Sequence, residues 1–296
     1  MAVNVTHVSK DVIYLDRTKY LSCPYNENEW AIKLAMKYYQ QYKNAHYENI
    51  ETASLQWVFN YNEKTYVQLG RVKYYDFLFE QLALNRDEWK NFANWLADTK
   101  NPHLKELYFY HDYVVYKMCG LKTVDQITDS PVLSGCLGLS LLVYDKAGQY
   151  LVSTGNFDGV FGKYYPGYLC AAEDKDIKLH SGTTCTGIVT TIDLSKNDPI
   201  ISAALNAFST RFSGLNLDKK NLRFTQIAVD EDKKQLVACV IGRFDSVFSG
   251  YMYQIQHLWG INSYRLVNKD MLDVILNDKL TPISQCQIRN EYEFPE

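Results

Sequence analysis

The residues with the most chemical promise lie between Gly187 and Leu215, in GIVTTIDLSKNDPIISAALNAFSTRFSGL. Asp193 and Asp198 place two carboxylates in the loop ahead of an amphipathic run, and these are hard oxygen donors of the kind that hold a divalent cation. Glu173, Asp174 and Asp176 offer further carboxylates from an upstream loop. Arg211, near the end of the run, and Arg243, farther on, carry guanidinium groups that can bind phosphate bidentately without a metal. Phe157, Phe161, Tyr164, Tyr165 and Tyr168 crowd a glycine-rich loop, where ring faces can stack on a base. Each group also has a plainer reading: carboxylates cap helices and solvate loops, arginines solvate surfaces, and aromatic rings fill cores.

Other constellations are weaker. Gly155, Gly159 and Gly162 in GNFDGVFG do not make the G-x-G-x-x-G spacing, and no Lys-hydroxyl pair opens a helix after them. Cys170 and Cys185 flank His180, but the spacings fit no common zinc pattern and a fourth ligand is not evident. Ser134-Gly135 and Ser181-Gly182 lack the glycine before the nucleophile that a hydrolase elbow requires. His103 and His111 can share a helix face, yet no carboxylate or thiol stands at a ligand spacing beside them, so they read as surface or capping histidines. No metal ligand set is assigned.

The elements that must position these groups follow from periodicity. Val12 to Leu15 is strand-like, and Trp30, Leu34, Tyr38 and Tyr42 recur at every fourth position, which predicts a helix over about 27–45 after an Asn26-x-x-Glu29 cap. Alternation from Leu55 to Tyr61, a turn at Asn62 to Lys64 and extended chemistry to Leu69 predict a hairpin. Helical spacing returns over 73–84 and 87–97, where Trp89, Phe92, Ala93 and Leu96 form a core stripe. A further helix is expected within 102–119. The polar, turn-rich stretch Lys122 to Val132 marks the expected boundary between two domains, 1–130 and 131–296.

Beyond it, Leu137 to Tyr144 and Tyr150 to Ser153 predict a second hairpin, and residues 155–170 a loop. Thr186 to Ile192 is a short β-rich run, and a helix follows over about 198–213, with Asp198-Pro199 at its start and Ile201, Leu205, Phe208 and Phe212 inward. Leu222 to Val229 and Gln235 to Phe244 predict a third hairpin, a less regular region with Trp259 follows, and Asn268 caps an expected last helix. The fold class expected is α+β: a mixed sheet with helices on its faces, preceded by a smaller α+β unit.

Composition bounds the function. With 296 residues, 34 acidic and 31 basic side chains, net charge −3 and no long run of one sign, neither an extended nucleic-acid surface nor an anionic-membrane surface is expected. Seven scattered cysteines, an odd number without a CxxC pair, and the lack of a signal-like N-terminal segment point to a reducing cytoplasm. No apolar run approaches the roughly 20 residues needed to cross a bilayer, so the expectation is a soluble, cytoplasmic protein. Tyrosine is unusually frequent, with 24 residues.

Several phrases of the second half, CLGLSLLVYDKAGQYLVSTGN, YYPGYL and AALNAFSTRFSGLNLDKKNLRFTQIAVDE, resemble the Nudix hydrolase fold. They match its opening hairpin, the loop before its motif, and its motif helix with the strands that follow. GRVKYYDFL resembles the extension that precedes the fold in some larger members. The likeness spans roughly residues 131–280. It implies an α/β/α sandwich around a mixed sheet and a site for nucleotide-derived diphosphates.

The family's motif reads Gly, five residues, Glu, seven residues, Arg-Glu, apolar, any, Glu-Glu, any, Gly, and its helical glutamates hold the metal that binds the diphosphate. Here Asn206 and Ala207 stand where Arg-Glu is expected, and Thr210 and Arg211 where Glu-Glu is expected. Moving the register by one residue, to allow for the extra residue before Gly214, brings Arg211 and Phe212 there instead. Neither register yields a carboxylate, and a cation at 211 reverses the local field that a metal needs.

The leading expectation is therefore a degenerate Nudix-like protein that binds a nucleotide-derived small molecule or a protein partner without metal-dependent hydrolysis. Arg211, Arg243, Phe161, Tyr164 and Tyr165 are its candidate ligand-binding residues, and no cofactor is assigned. The enzymatic alternative is an atypical diphosphatase acting on a nucleotide-sugar or dinucleotide through Asp193 and Asp198, with magnesium. The third reading is a structural or interaction module, associating as a homo-oligomer through residues 1–130.

Overall fold

The structure is a computed structural model, and it describes residues 4–15, 29–42, 49, 51–130, 132–153, 185–188, 196–230, 234–259, 264–268 and 287. It is a mixed α+β protein. Strands β1 (Val5–His7) and β2 (Asp11–Tyr14) precede helix α1 (Glu29–Tyr42). The hairpin β3 (Glu51–Tyr61) and β4 (Lys64–Lys73) follows, then helices α2 (Tyr74–Leu84), α3 (Arg86–Asp98), α4 (Leu104–Met118) and α5 (Val124–Thr128). The second half runs β5 (Leu137–Asp145), β6 (Tyr150–Ser153), β7 (Cys185–Ile188), α6 (Pro199–Arg211), β8 (Leu222–Asp230), β9 (Gln235–Phe244), α7 (Met252–Trp259) and β10 (Tyr264–Val267). Among the described residues no helix is long and apolar enough to cross a membrane.

Two sheets result. The larger has the order β1-β8-β9-β5-β6-β10, with β7 also pairing β5, and the smaller has the order β2-β4-β3. The larger sheet is mixed: β5 runs parallel to β9, as Leu137 opposite Leu236 and Asp145 opposite Phe244 show, whereas β8 and β9 form an antiparallel hairpin. Leu137, Leu139, Leu141 and Val143 of β5 and Leu236, Ala238 and Val240 of β9 alternate onto one face. On that face they meet Ile201, Ala204 and Phe208 of α6 and Val58, Val67 and Leu69 of the smaller sheet in one core. This core draws on both sides of residue 130, and β1 from the chain's start pairs with β8. The helices α1 to α4 enclose a second cluster around Tyr38, Phe79, Phe92 and Leu96.

Two local expectations are corrected. The polar stretch after Lys122 is not turn throughout but contains α5, closed by a capping box: Thr123 Oγ1 accepts from Gln126 N, and Gln126 Oε1 accepts from Thr123 N. Its Val124 and Ile127 are buried in the shared core, so two apolar residues among polar neighbours are enough to dock it. The region after β9 is likewise regular, forming α7 with Ile255 buried. The last helix expected after Asn268 lies outside the described residues.

After α5 the chain passes between α2 and β3. Ser134 N donates to the carboxylate of Glu80 at 2.5 Å, and Leu55 N donates to Gly135 O at 2.9 Å. Gly135 has φ +63°, and a Cβ there would stand 2.7 Å from Leu55 O, so this crossing requires glycine on both backbone and steric grounds.

Candidate functional site

Helix α6 forms where the sequence places it because both ends are closed. Asp198 is the N-cap and accepts from Ile201 N at 3.4 Å, Pro199 takes the first helical position, and Ser202 Oγ donates to Asp198 O at 2.8 Å. At the other end Gly214 adopts φ +91° and Leu215 N donates to Phe212 O at 2.9 Å. From Pro199 to Arg211 the helix carries no Asp or Glu.

The start of α6 borders a cavity of about 290 Å³ between β2 and the beginning of β8. Ile201, Leu222 and Phe224 give it an apolar floor, Lys10 and Arg223 bring cations, and Asp11 and Asp198 bring carboxylates. Tyr14, also on its wall, donates its hydroxyl to Asp198 Oδ1 at 2.9 Å. One Asp198 oxygen therefore closes the helix and fastens it to the smaller sheet. We expect Asp198→Ala to lower unfolding free energy by about 1–2 kcal/mol in urea denaturation, with Asp198→Asn recovering most of the loss; equal losses would contradict the capping role.

The sequence-derived site residues fall at separate places. Asp198 lines the cavity. Arg211 sits at the opposite end of α6, about 20 Å away along the helix axis, where its Nη1 donates to Tyr264 Oη at 3.3 Å. There it joins α6 to β10, and its charge suits a helix C-terminus. Arg243, on β9, lies opposite Tyr144 of β5, on the sheet face away from the alternating core residues that α6 covers. Its Nε is buried without a hydrogen-bond partner among the described residues. Burial pushes the Tyr144 phenol up, an effect Arg243 partly offsets, and Tyr150 packs 5.7 Å away. Asp193, Phe161, Tyr164, Tyr165, Glu173, Asp174 and Asp176 lie outside the described residues.

The histidines have structural contacts. His103 Nδ1 pairs with Glu106 at 2.8 Å on the surface, and His111 bonds Ala83 O at 3.0 Å while stacking on Trp89 at 4.0 Å. Among the described residues no three His, Cys, Asp or Glu side chains gather as a metal site. Sequence reasoning missed Lys10, Tyr14 and Arg223. Tyr14 stood in a recognised strand-like run, but its partner Asp198 is 184 positions away, and no local pattern links them. No protein-family model and no curated protein matches the chain.

Proposed function

We propose that residues 131–296 form a Nudix-like domain and that the protein binds a small nucleotide-derived ligand, without hydrolysing it, in the cavity at the start of α6, one wall of which comes from residues 10–14. The observation that carries this reading is α6 itself. Its cap and its buried stripe of Ile201, Ala204 and Phe208 are intact, while the positions expected to carry Arg-Glu and Glu-Glu hold Asn206-Ala207 and Thr210-Arg211, and Arg211 is engaged by Tyr264. The order hairpin, strand, helix, hairpin around a mixed sheet supports the likeness in fold. The cavity is compatible with such a ligand: Lys10 and Arg223 can meet a phosphate, beside the carboxylates of Asp11 and Asp198, and the edges of Ile201, Leu222 and Phe224 can meet a base or sugar. At about 290 Å³ it is at the small end of ligand pockets, which favours a mononucleotide or sugar phosphate over a dinucleotide.

Calorimetry against nucleoside monophosphates, sugar nucleotides and dinucleotides, with and without magnesium, tests the proposal. We expect a mononucleotide to bind equally well in both conditions, with Arg223→Ala weakening it about tenfold and no phosphate released. Absence of binding across the panel would remove the ligand part. Magnesium-dependent phosphate release lost in the Asp193→Ala, Asp198→Ala double variant would establish the diphosphatase alternative.

A further inference from the structure

Four polar residues stand in one row across the larger sheet. Arg243 of β9 lies opposite Tyr144 of β5, and Tyr144 opposite Tyr150 of β6. On the other side of β9, the pairing of Leu222 with Gly242 brings Asn221, the last residue of the single turn Lys219–Asn221, level with Arg243. Leu222 and Val143 flank Gly242 within the shared core, so Arg243 and Tyr144, one residue on, belong to the opposite face. Two donors of the row have no acceptor among the described residues: Arg243 Nε and Asn221 Nδ2 are both buried without a hydrogen bond, and Asn221 is 4% exposed. A buried donor left unmade is costly, more so on a charged group. The carboxylates nearby are engaged elsewhere. Asp145 accepts from Ala147 N, Gln149 N and Phe248 N, and Asp218 holds Lys220 at 3.0 Å. Asp245 is exposed at the rim, where its charge and that of Arg243 both reach Lys220.

We infer that Arg243 and Asn221 form an anion site for a phosphate monoester, separate from the cavity at the start of α6. An ordered water satisfies a neutral amide, but a guanidinium with no carboxylate bonded to it takes an oxyanion, two of whose oxygens meet Nε and one terminal nitrogen side by side. Asn221 Nδ2 supplies a donor for a third oxygen. Donors from two elements suit a tetrahedral anion better than a planar carboxylate, which the guanidinium alone would saturate. Arg243, Tyr144 and Tyr150 are each partly exposed, so the anion enters from solvent and its ester group leaves past the two rings, with Lys220 adding positive charge at the rim.

Nuclear magnetic resonance of the arginine Nε–H groups in isotope-labelled protein tests the site, with inorganic phosphate and glycerol phosphate as probes. The Arg243 signal is the one lost in Arg243→Lys. It should shift saturably with both probes and stay in place with chloride at equal ionic strength. Read from that signal, Asn221→Ala should weaken glycerol phosphate binding about tenfold. Asp245→Asn should tighten it severalfold by removing a like charge, and Arg223→Ala, in the α6 cavity, should leave it unchanged. Circular dichroism verifies folding, and Asp245→Asn, a change at an exposed side chain, keeps the test decisive if Asn221→Ala does not fold. A signal that moves equally with chloride, an Asp245→Asn variant that binds no more tightly, or binding lost in Arg223→Ala would each overturn the inference. A shift with inorganic phosphate alone would overturn the monoester as its ligand.

Discussion

At pH 8, Glu80→Gln should unfold at a markedly higher denaturant concentration than the wild-type protein, and its stability should no longer fall between about pH 4.5 and pH 8. Glu80 is 3% exposed on α2, and burial pushes its carboxyl up to about 8 from an ordinary value of 4.5. Its bonds with Ser134 hold it down in part, and the nearby charge of Asp76 adds a smaller upward push. A carboxyl raised in the folded state binds its proton more tightly there than in the unfolded chain. Its stabilisation is complete below the unfolded value and is lost progressively as pH rises toward about 8. The full excursion is at most about 5 kcal/mol. Glutamine stays neutral throughout and keeps an oxygen to accept from Ser134 N, so the variant should gain several kcal/mol at pH 8 and little below pH 4.5. Urea midpoints measured across this range decide the matter, and a slope identical in the two proteins would show that Glu80 does not titrate with folding.

The cost of that buried carboxyl is concentrated where the chain crosses from its first half to its second. Ser134 is held by Glu80, Gly135 lies against Leu55, and the thiol of Cys136 is pushed up by burial beside Thr52. None of this was legible in sequence. In YYDFLFEQLAL the acids look like the wet side of an amphipathic helix, but α2 is covered from several directions and Asp76, Glu80 and Gln81 are all buried. Periodicity reports a preference for one face and fails when a helix has none to spare. The same limit hid α5, whose two core residues are too few to make a period.

What was legible follows from local rules that tertiary structure did not override. The hairpins β3–β4, β5–β6 and β8–β9 appear where alternation and turn residues placed them, and α6 begins and ends at its cap and glycine. The candidate site was less legible because its walls come from three separate stretches, residues 10–14, 197–201 and 222–224. Asp198 was found because a cap has a local signature; Lys10, Tyr14 and Arg223 have none. Arg211 and Arg243 were grouped by charge alone, and α6 and the sheet hold them apart.

The reading of α6 as a packed scaffold has a direct consequence for its stability. Phe208 is fully buried, with its ring 4.9 Å from Phe212, and it meets the larger sheet in the shared core. Phe208→Ala removes most of that buried surface and leaves a cavity that its neighbours in the shared core cannot close, so we expect a loss of about 3–5 kcal/mol in urea denaturation. Thr210, two positions on, is exposed, and Thr210→Ala should change stability by less than about 0.5 kcal/mol. Comparable effects at the two positions would mean that α6 is not anchored by this stripe. A large loss at 208 beside a negligible one at 210 is the pattern of a helix whose inward side carries the fold while the positions that the Nudix-like reading assigns to metal carry little load.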